Sequence, residues 1–322
     1  MGRPGRSAPA AAAPAVDRTG HRAYAGRRSG LSQREMSDPP MTASRLPALS
    51  EARPAPGGLE VRRALREADL LGAQRLRYEV FVAELGGDGE LVDHAARLER
   101  DRHDPHYDHL VLVDPARDEA RLDHVVGAYR LMPGSRAAAS GGFYCAGEYD
   151  LAPLAATGRR LLELGRSCIH PAYRGGTALF HLWRGLADYI GQEGSEILFG
   201  VASFHGTDVG ALAHPLAFLH HKHLAPEALR VTARPPEAVS MNLMPPEQVD
   251  RRAAARAIPA LIKSYLRLGG HVGQGAWVDR PFNTTDICLV MDVARIDERT
   301  RALYGAGGPR PTDRDVARDG RG

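Results

Sequence analysis

The chain has 322 residues, a hydrophobic fraction of 43%, a charged fraction of 25% and a formal net charge of +3. This is the make-up of a globular protein and not of a fibrous or low-complexity one. No apolar run approaches the ~20 residues that span a bilayer. The basic residues are scattered among Pro and Gly with no helix-turn-helix pattern, which argues against nucleic-acid binding. Lys222 and Lys263 are the only lysines, so nearly all positive charge is arginine, the side chain suited to bidentate contact with phosphate and carboxylate. Cys145, Cys168 and Cys288 show neither metal-ligand nor redox spacing and read as core or neutral residues of a reducing compartment.

Residues 1–56 are rich in Ala, Pro, Gly and Arg with no sustained hydrophobic period. Such a composition cannot bury enough surface to fold alone. We expect a disordered extension without a catalytic role, explained equally by an Arg-bearing leader or by a true start at Met36 or Met41. A globular domain is expected over 57–303, and a disordered Gly/Pro/Arg/Asp tail over 304–322.

Within the domain, residues 59–65 read as a first strand and Asp69 as the cap of a helix running to Leu85, with Leu76, Val80 and Phe81 inward. Arg77 and Phe81 are four apart and share a face. Residues 86–108 have almost no hydrophobic period, a length uncommon in loops without a function, and carry Asp101 and Asp104 near their end. Residues 110–113 and 125–131 read as the two strands of a hairpin, the second bearing Arg130.

The stretch 159–190 concentrates the chemistry. Leu161, Leu162, Leu164 and Ile169 mark a buried strand interrupted by Gly165 and ended by His170-Pro171. Glu163 and Arg166 are three apart, so a regular strand places them on opposite faces; a bulge at Gly165 would re-aim one and splay the strand from its neighbour. Arg174-Gly175-Gly176-Thr177 then leads into a helix with Leu179, Leu182, Trp183, Leu186 and Ile190 at helical spacing, stopped at Gly191 and Gly194. A glycine-bearing turn at a helix N-terminus offers free N–H groups and a positive dipole to an anion.

Residues 197–204 read as another buried strand, ending in the polar turn His205-Gly206-Thr207-Asp208. Ligands sit at such carboxyl ends of strands, which makes Ser203, Thr207 and Asp208 candidates. His214, His220, His221 and His223 lack a metal-ligand pattern and read as a partly exposed helix end. Residues 235–250 read as a covering loop, 258–268 as an amphipathic helix, and 287–293 as the last strand.

Strand, bulge, Arg-Gly loop and helix together resemble the acyl-donor core of the GNAT N-acyltransferase superfamily. Arg77-x-x-x-Phe81, Asp101-x-x-Asp104, Gly127-Ala-Tyr-Arg130-Leu131 and Glu163-Leu-Gly-Arg166 are similar, in order and spacing, to the signatures of acyl-homoserine lactone synthases. The segments 198–208, 260–269 and 279–286 are similar to those of the ornithine N-acyltransferases of ornithine-lipid synthesis. The likeness spans roughly residues 59–296; the N-terminal extension and His205 and Asn283 depart from it.

That resemblance implies an α/β GNAT-like fold, a mixed central sheet flanked by helices with a bulged, splayed strand at the donor site. It implies transfer of a 3-hydroxyacyl group from acyl carrier protein to the α-amino group of ornithine, with no bound cofactor or metal. Glu163 would act as base, directly or through a water, alongside Arg166. A bulge N–H near Gly165 or Ser167 would hold the carbonyl oxygen, and Arg174, Gly175, Gly176 and Thr177 the carrier's phosphopantetheine phosphate. Arg77, Phe81, Asp101, Asp104, Arg130 and Ser203 would order the acceptor pocket, and Asp208, Asp279 or Asp286 would pair with the side-chain amine. A cytoplasmic enzyme with peripheral membrane contact fits the amphiphilic product. A lactone synthase, a CoA-dependent acetyltransferase and a non-enzymatic GNAT-fold module are the competing readings.

Overall fold

Short apolar runs through the middle of the chain build one sheet in the computed structural model, which describes residues 58–304 and the backbone of Arg53–Pro54. The strands are β1 (Arg53–Pro54), β2 (Glu60–Arg63), β3 (Asp108–Val113), β4 (Val125–Pro133), β5 (Tyr149–Asp150), β6 (Leu161–Ile169), β7 (Ile197–His205), β8 (Thr232–Ala233), β9 (Ala238–Val239), β10 (His271–Val272), β11 (Ala276–Asp279) and β12 (Thr284–Asp292). Ten of them form a mixed sheet in the order β1-β2-β3-β4-β6-β7-β12-β11-β9, with β10 beside β12; β5 and β8 pair separately. β6 and β7 are parallel, while the other sheet neighbours run antiparallel.

The helices are α1 (Glu67–Arg77), α2 (Gly134–Ala137), α3 (Ala152–Ala156), α4 (Ala178–Glu193), α5 (Ala213–His223), α6 (Arg251–Ala257), α7 (Ala260–Arg267) and α8 (Glu298–Tyr304). Alternation along β3 divides the core between the two sheet faces. Val111 and Val113 meet Ala73, Leu76 and Val80 of the α1 region, whereas Leu110 and Leu112 join Leu182, Trp183, Leu186 and Tyr189 of α4. Both faces are therefore covered, which explains why β3 and β4 read as nearly continuous apolar runs. Among the described residues no helix is long and apolar enough to cross a membrane.

Several expectations change in detail. Asp69 does not cap α1: Arg66 occupies that position without a side-chain cap. Asp69 lies one turn in, buried, where its carboxylate accepts from Arg62 at 2.8 and 3.1 Å and lies 3.1 Å from His124 Nε2. The helix to Leu85 is α1 followed by a π-helical segment, Tyr78–Glu84. α4 runs through Gly191 and ends at Gly194, whose φ is 63°. α6, β11 and α8 were not apparent from periodicity, being short and, for α6 and α8, mostly exposed. The expected tails at 1–56 and 304–322 lie outside the described residues, apart from the backbone of Arg53–Pro54 and Tyr304, which ends α8.

Candidate active site

β6 and β7 pair only at Leu161–Ile197, Leu162–Leu198 and Glu163–Phe199, although each strand continues for six more residues. The reason is partly a bulge. Against β4, Arg130 pairs with Gly165 but Ala128 with Cys168, so one extra residue sits in β6. Arg166 adopts φ 49°, a left-handed conformation uncommon outside glycine. The bulge thus follows Gly165, as expected, and the residue it turns left-handed is Arg166.

The parting strands open a cavity of about 220 Å³ lined by Leu164–Ser167 on one side and Leu198–Ser203 on the other. Phe81, Tyr107, Tyr144, Asp279, Phe282 and Asp286 contribute to its walls.

The long segment before β3 is ordered because three arginines hold its acids. Arg77 pairs with Glu99 and donates through Nη1 to Asp104 at 2.8 Å. Arg130 Nη1 donates to Asp101 at 2.5 Å and to Asp104 at 3.0 Å. Arg166 donates to Glu99 and Asp101, each at 3.2 Å. Arg77 and Arg130 are only 1% exposed. Burial opposes ionisation of Glu99, Asp101 and Asp104, yet the neighbouring guanidiniums hold all three below the ordinary carboxylate range. Arg130 also lies 4.6 Å from the Tyr107 ring centre, and Arg166 stacks on Tyr144 and Phe282 at 4.9 and 5.1 Å.

Glu163 is 1% exposed and reaches the cavity wall. Its oxygens accept from the backbone N–H of Tyr144 at 2.9 Å, the N–H of Cys145 at 2.6 Å, and the Tyr107 hydroxyl. Burial and that carboxylate push the Tyr107 hydroxyl up, so it stays protonated and donating. Glu163 is therefore a heavily hydrogen-bonded carboxylate that ties the Tyr144–Gly147 turn to the sheet.

Asp279 and Asp286 line the far wall, and Glu148 joins them in a cluster, one oxygen of each carboxylate lying within 4.8 Å of the others. All are buried. Burial pushes the Asp286 carboxyl up to about 6, opposed by the Ser203 hydroxyl and reinforced by Asp279.

The structure gathers most of the expected residues here: Phe81, Arg130, Glu163, Gly165, Arg166, Ser167, Ser203, Asp279 and Asp286 line the cavity, and Arg77, Asp101 and Asp104 brace it. Asp208 is a correction. Its Oδ1 accepts from the N–H groups of Gly210 and Ala211 in an exposed turn, away from the cavity lining. Arg174, Gly175, Gly176 and Thr177 precede α4 as expected, but Arg174 makes a two-armed ion pair with Glu84, 2.6 Å on each arm. Glu99, Tyr107, Tyr144, Glu148 and Phe282 were missed. Glu99, two residues before Asp101, was the one with a local signal.

Residues 76–184 match the family model described as an acetyltransferase (GNAT) domain. With the splayed parallel pair and the loop before α4, this defines a GNAT-type acyltransferase. Over 250 residues the chain is 60% identical to the L-ornithine N(alpha)-acyltransferase of Rhodobacter capsulatus, covering 78% of this chain and 96% of that relative. It is 40% identical over 252 residues to the L-ornithine N(alpha)-acyltransferase of Brucella abortus, covering 78% and 90%. The chain belongs to the L-ornithine N(alpha)-acyltransferase family. Among solved structures it is similar to the AHL synthase LasI, at a TM-score of 0.41 and 16% identity, covering 79% of this chain and 96% of that one.

Proposed function

We propose that the protein transfers a 3-hydroxyacyl group from acyl carrier protein to the α-amino group of ornithine, giving the lyso form of an ornithine lipid. The observation that carries this reading is the acid-walled cavity opened where β6 leaves β7, in a chain of this family. A thioester threaded between the strands would meet backbone N–H groups of the bulge at Gly165–Ser167, which act on the oxygen as negative charge develops. The amine attacks the carbonyl directly and the thiol leaves. Because its oxygens already accept three hydrogen bonds, Glu163 takes the amine's proton through an ordered water and not by contact. Arg166, aimed into the cavity by its left-handed backbone, receives the acceptor's carboxylate.

The carrier's phosphate would take the place of Glu84 on Arg174, with the N–H groups of Gly175–Thr177 behind it. Acyl carrier proteins are acidic, so docking is steered by charge. Raising salt should raise the carrier's KM with little change in kcat, and a flat response would count against carrier docking. Membrane contact would be peripheral, through the product. The deciding experiment incubates the purified full chain with ornithine and either 3-hydroxyacyl carrier protein or the corresponding acyl-CoA, followed by mass spectrometry. Singly acylated ornithine from the carrier thioester supports the reading; product from CoA alone replaces the donor; no acylated ornithine from either thioester counts against the acceptor.

A further inference from the structure

The cluster of Glu148, Asp279 and Asp286, the last two lining the far wall, is not explained by the arginine network. Glu148 arrives at the end of the turn Tyr144–Gly147, Asp279 at the end of β11, and Asp286 from β12 beside Ser203 of β7. Asp279 Oδ1 accepts the N–H of Phe282 at 3.0 Å. Glu148 Oε2 and Asp286 Oδ1, both buried and in residues only 4% exposed, accept no hydrogen bond. Among the described residues none of the three forms an ion pair, whereas the network acids are all paired. Like charges so close in a buried wall cannot all ionise unless a cation joins them.

The acceptor carries a cation that this cluster can take: one oxygen of each carboxylate lies within 4.8 Å of the others, close enough for all three to reach one nitrogen at about 2.8 Å. An ammonium group has three N–H donors, one for each carboxylate. A hard divalent metal takes six or more oxygens, so three carboxylates would hold one only with further oxygens, such as water, completing its shell.

We propose that Glu148, Asp279 and Asp286 form the subsite for the side-chain ammonium of the acceptor, and that the triad releases a proton to solvent as that ammonium seats. The proposal rests on ornithine being the acceptor. The carboxyl O–H bond breaks, its proton goes to water, and the carboxylate left behind pairs with the ammonium, so charge balances.

The surroundings support an exchangeable proton. Burial, then the charges of Asp286 and Asp279, pushes Glu148 well above the ordinary range, and burial raises Asp279 as well. The groups that oppose this are few: Arg166 from β6, the Tyr144 hydroxyl, the Phe282 N–H and the hydroxyls of Ser203 and Thr284.

The test compares ornithine with norvaline, the same side chain without its ammonium, as acceptors for the loaded carrier between pH 5.5 and 8.5. Unaltered protein should favour ornithine in kcat/KM by about 10- to 100-fold at pH 8. The preference should shrink as the pH falls through 6, where the triad takes up protons while the ammonium stays charged. Asp286→Asn and Glu148→Gln should each cut the ornithine-to-norvaline ratio, mainly through KM for ornithine. Calorimetric titration of ornithine in two buffers of different ionisation heat should give different enthalpies.

Equal use of the two amino acids, or a preference that persists in both folded variants, would overturn the subsite; buffer-independent heat would overturn the proton release. Stabilisation by Mg²⁺, Mn²⁺ or Ca²⁺ alone, lost in Asp286→Asn, would make the triad a metal site instead. If the variants fail to fold, the pH dependence of the preference in the unaltered protein decides. Failure to acylate either amino acid would sink the ornithine reading itself, an outcome distinct from acylating both equally well.

Discussion

Arg77, Arg130 and Arg166 keep their charges in the interior because Glu99, Asp101 and Asp104 surround them. Removing one partner strands a buried charge, a change that costs about 3–5 kcal/mol. Asp104→Asn should therefore lower the melting temperature by roughly 6–20 °C, measured by thermal denaturation, and abolish acylation in the same preparation. Asp208→Asn should do neither, since its oxygen can still accept the two turn N–H groups. Glu163→Gln places an amide N–H₂ among donors that need acceptors. We expect both a lower melting temperature and a turnover loss of about 100-fold or more, read from initial rates across pH. Near-normal turnover with an unchanged pH profile would remove Glu163 from proton transfer.

At the scale of elements, the cavity exists because two parallel strands stop pairing, and one glycine permits their geometry. A Cβ on Gly200 of β7 would lie 2.0 Å from the Leu164 carbonyl oxygen of β6. Backbone cannot yield as a flexible side-chain tip can, so Gly200→Ala must push the strands apart. The expected cost is about 1–3 kcal/mol, seen as a melting temperature lower by several degrees, with a raised KM for the acyl donor in steady-state kinetics. Unchanged donor kinetics would show that the cleft between β6 and β7 does not hold the thioester.

At the scale of the whole molecule, two acid clusters of opposite behaviour share one site. Glu99, Asp101 and Asp104 have folded pKa values below their unfolded ones, so the stability they bring is present above about pH 4 and is lost as the pH falls further. Glu148, Asp279 and Asp286 are raised, so their contribution is full below about pH 4 and declines as the pH climbs through their folded values, Asp286 at about 6. Thermal melts should thus show the greatest contribution of these six acids near pH 4. Ornithine should raise the melting temperature more at pH 7.5 than at pH 5.5, because it supplies the missing cation where the triad is ionised.

Much of this was legible in the chain. Apolar runs located β3, β4, β6 and β7, and helical spacing located α4, because those elements bury one face or both and write that burial into their residues. The spacings Arg77–Phe81, Asp101–Asp104 and Glu163–Arg166 singled out a helix, a loop and a strand that the structure brings to one cavity. The tertiary structure decided which acids pair with which arginines, that Glu163 is held by three donors, that Asp208 stands apart, and that Glu148 meets Asp279 and Asp286. Glu148 and Asp286 are 138 residues apart in a chain of 322, and no local period records a meeting made by strand order. Periodicity reports how a residue sits relative to its own element; a polar cluster assembled from a turn and two strands depends on how the sheet brings those elements together.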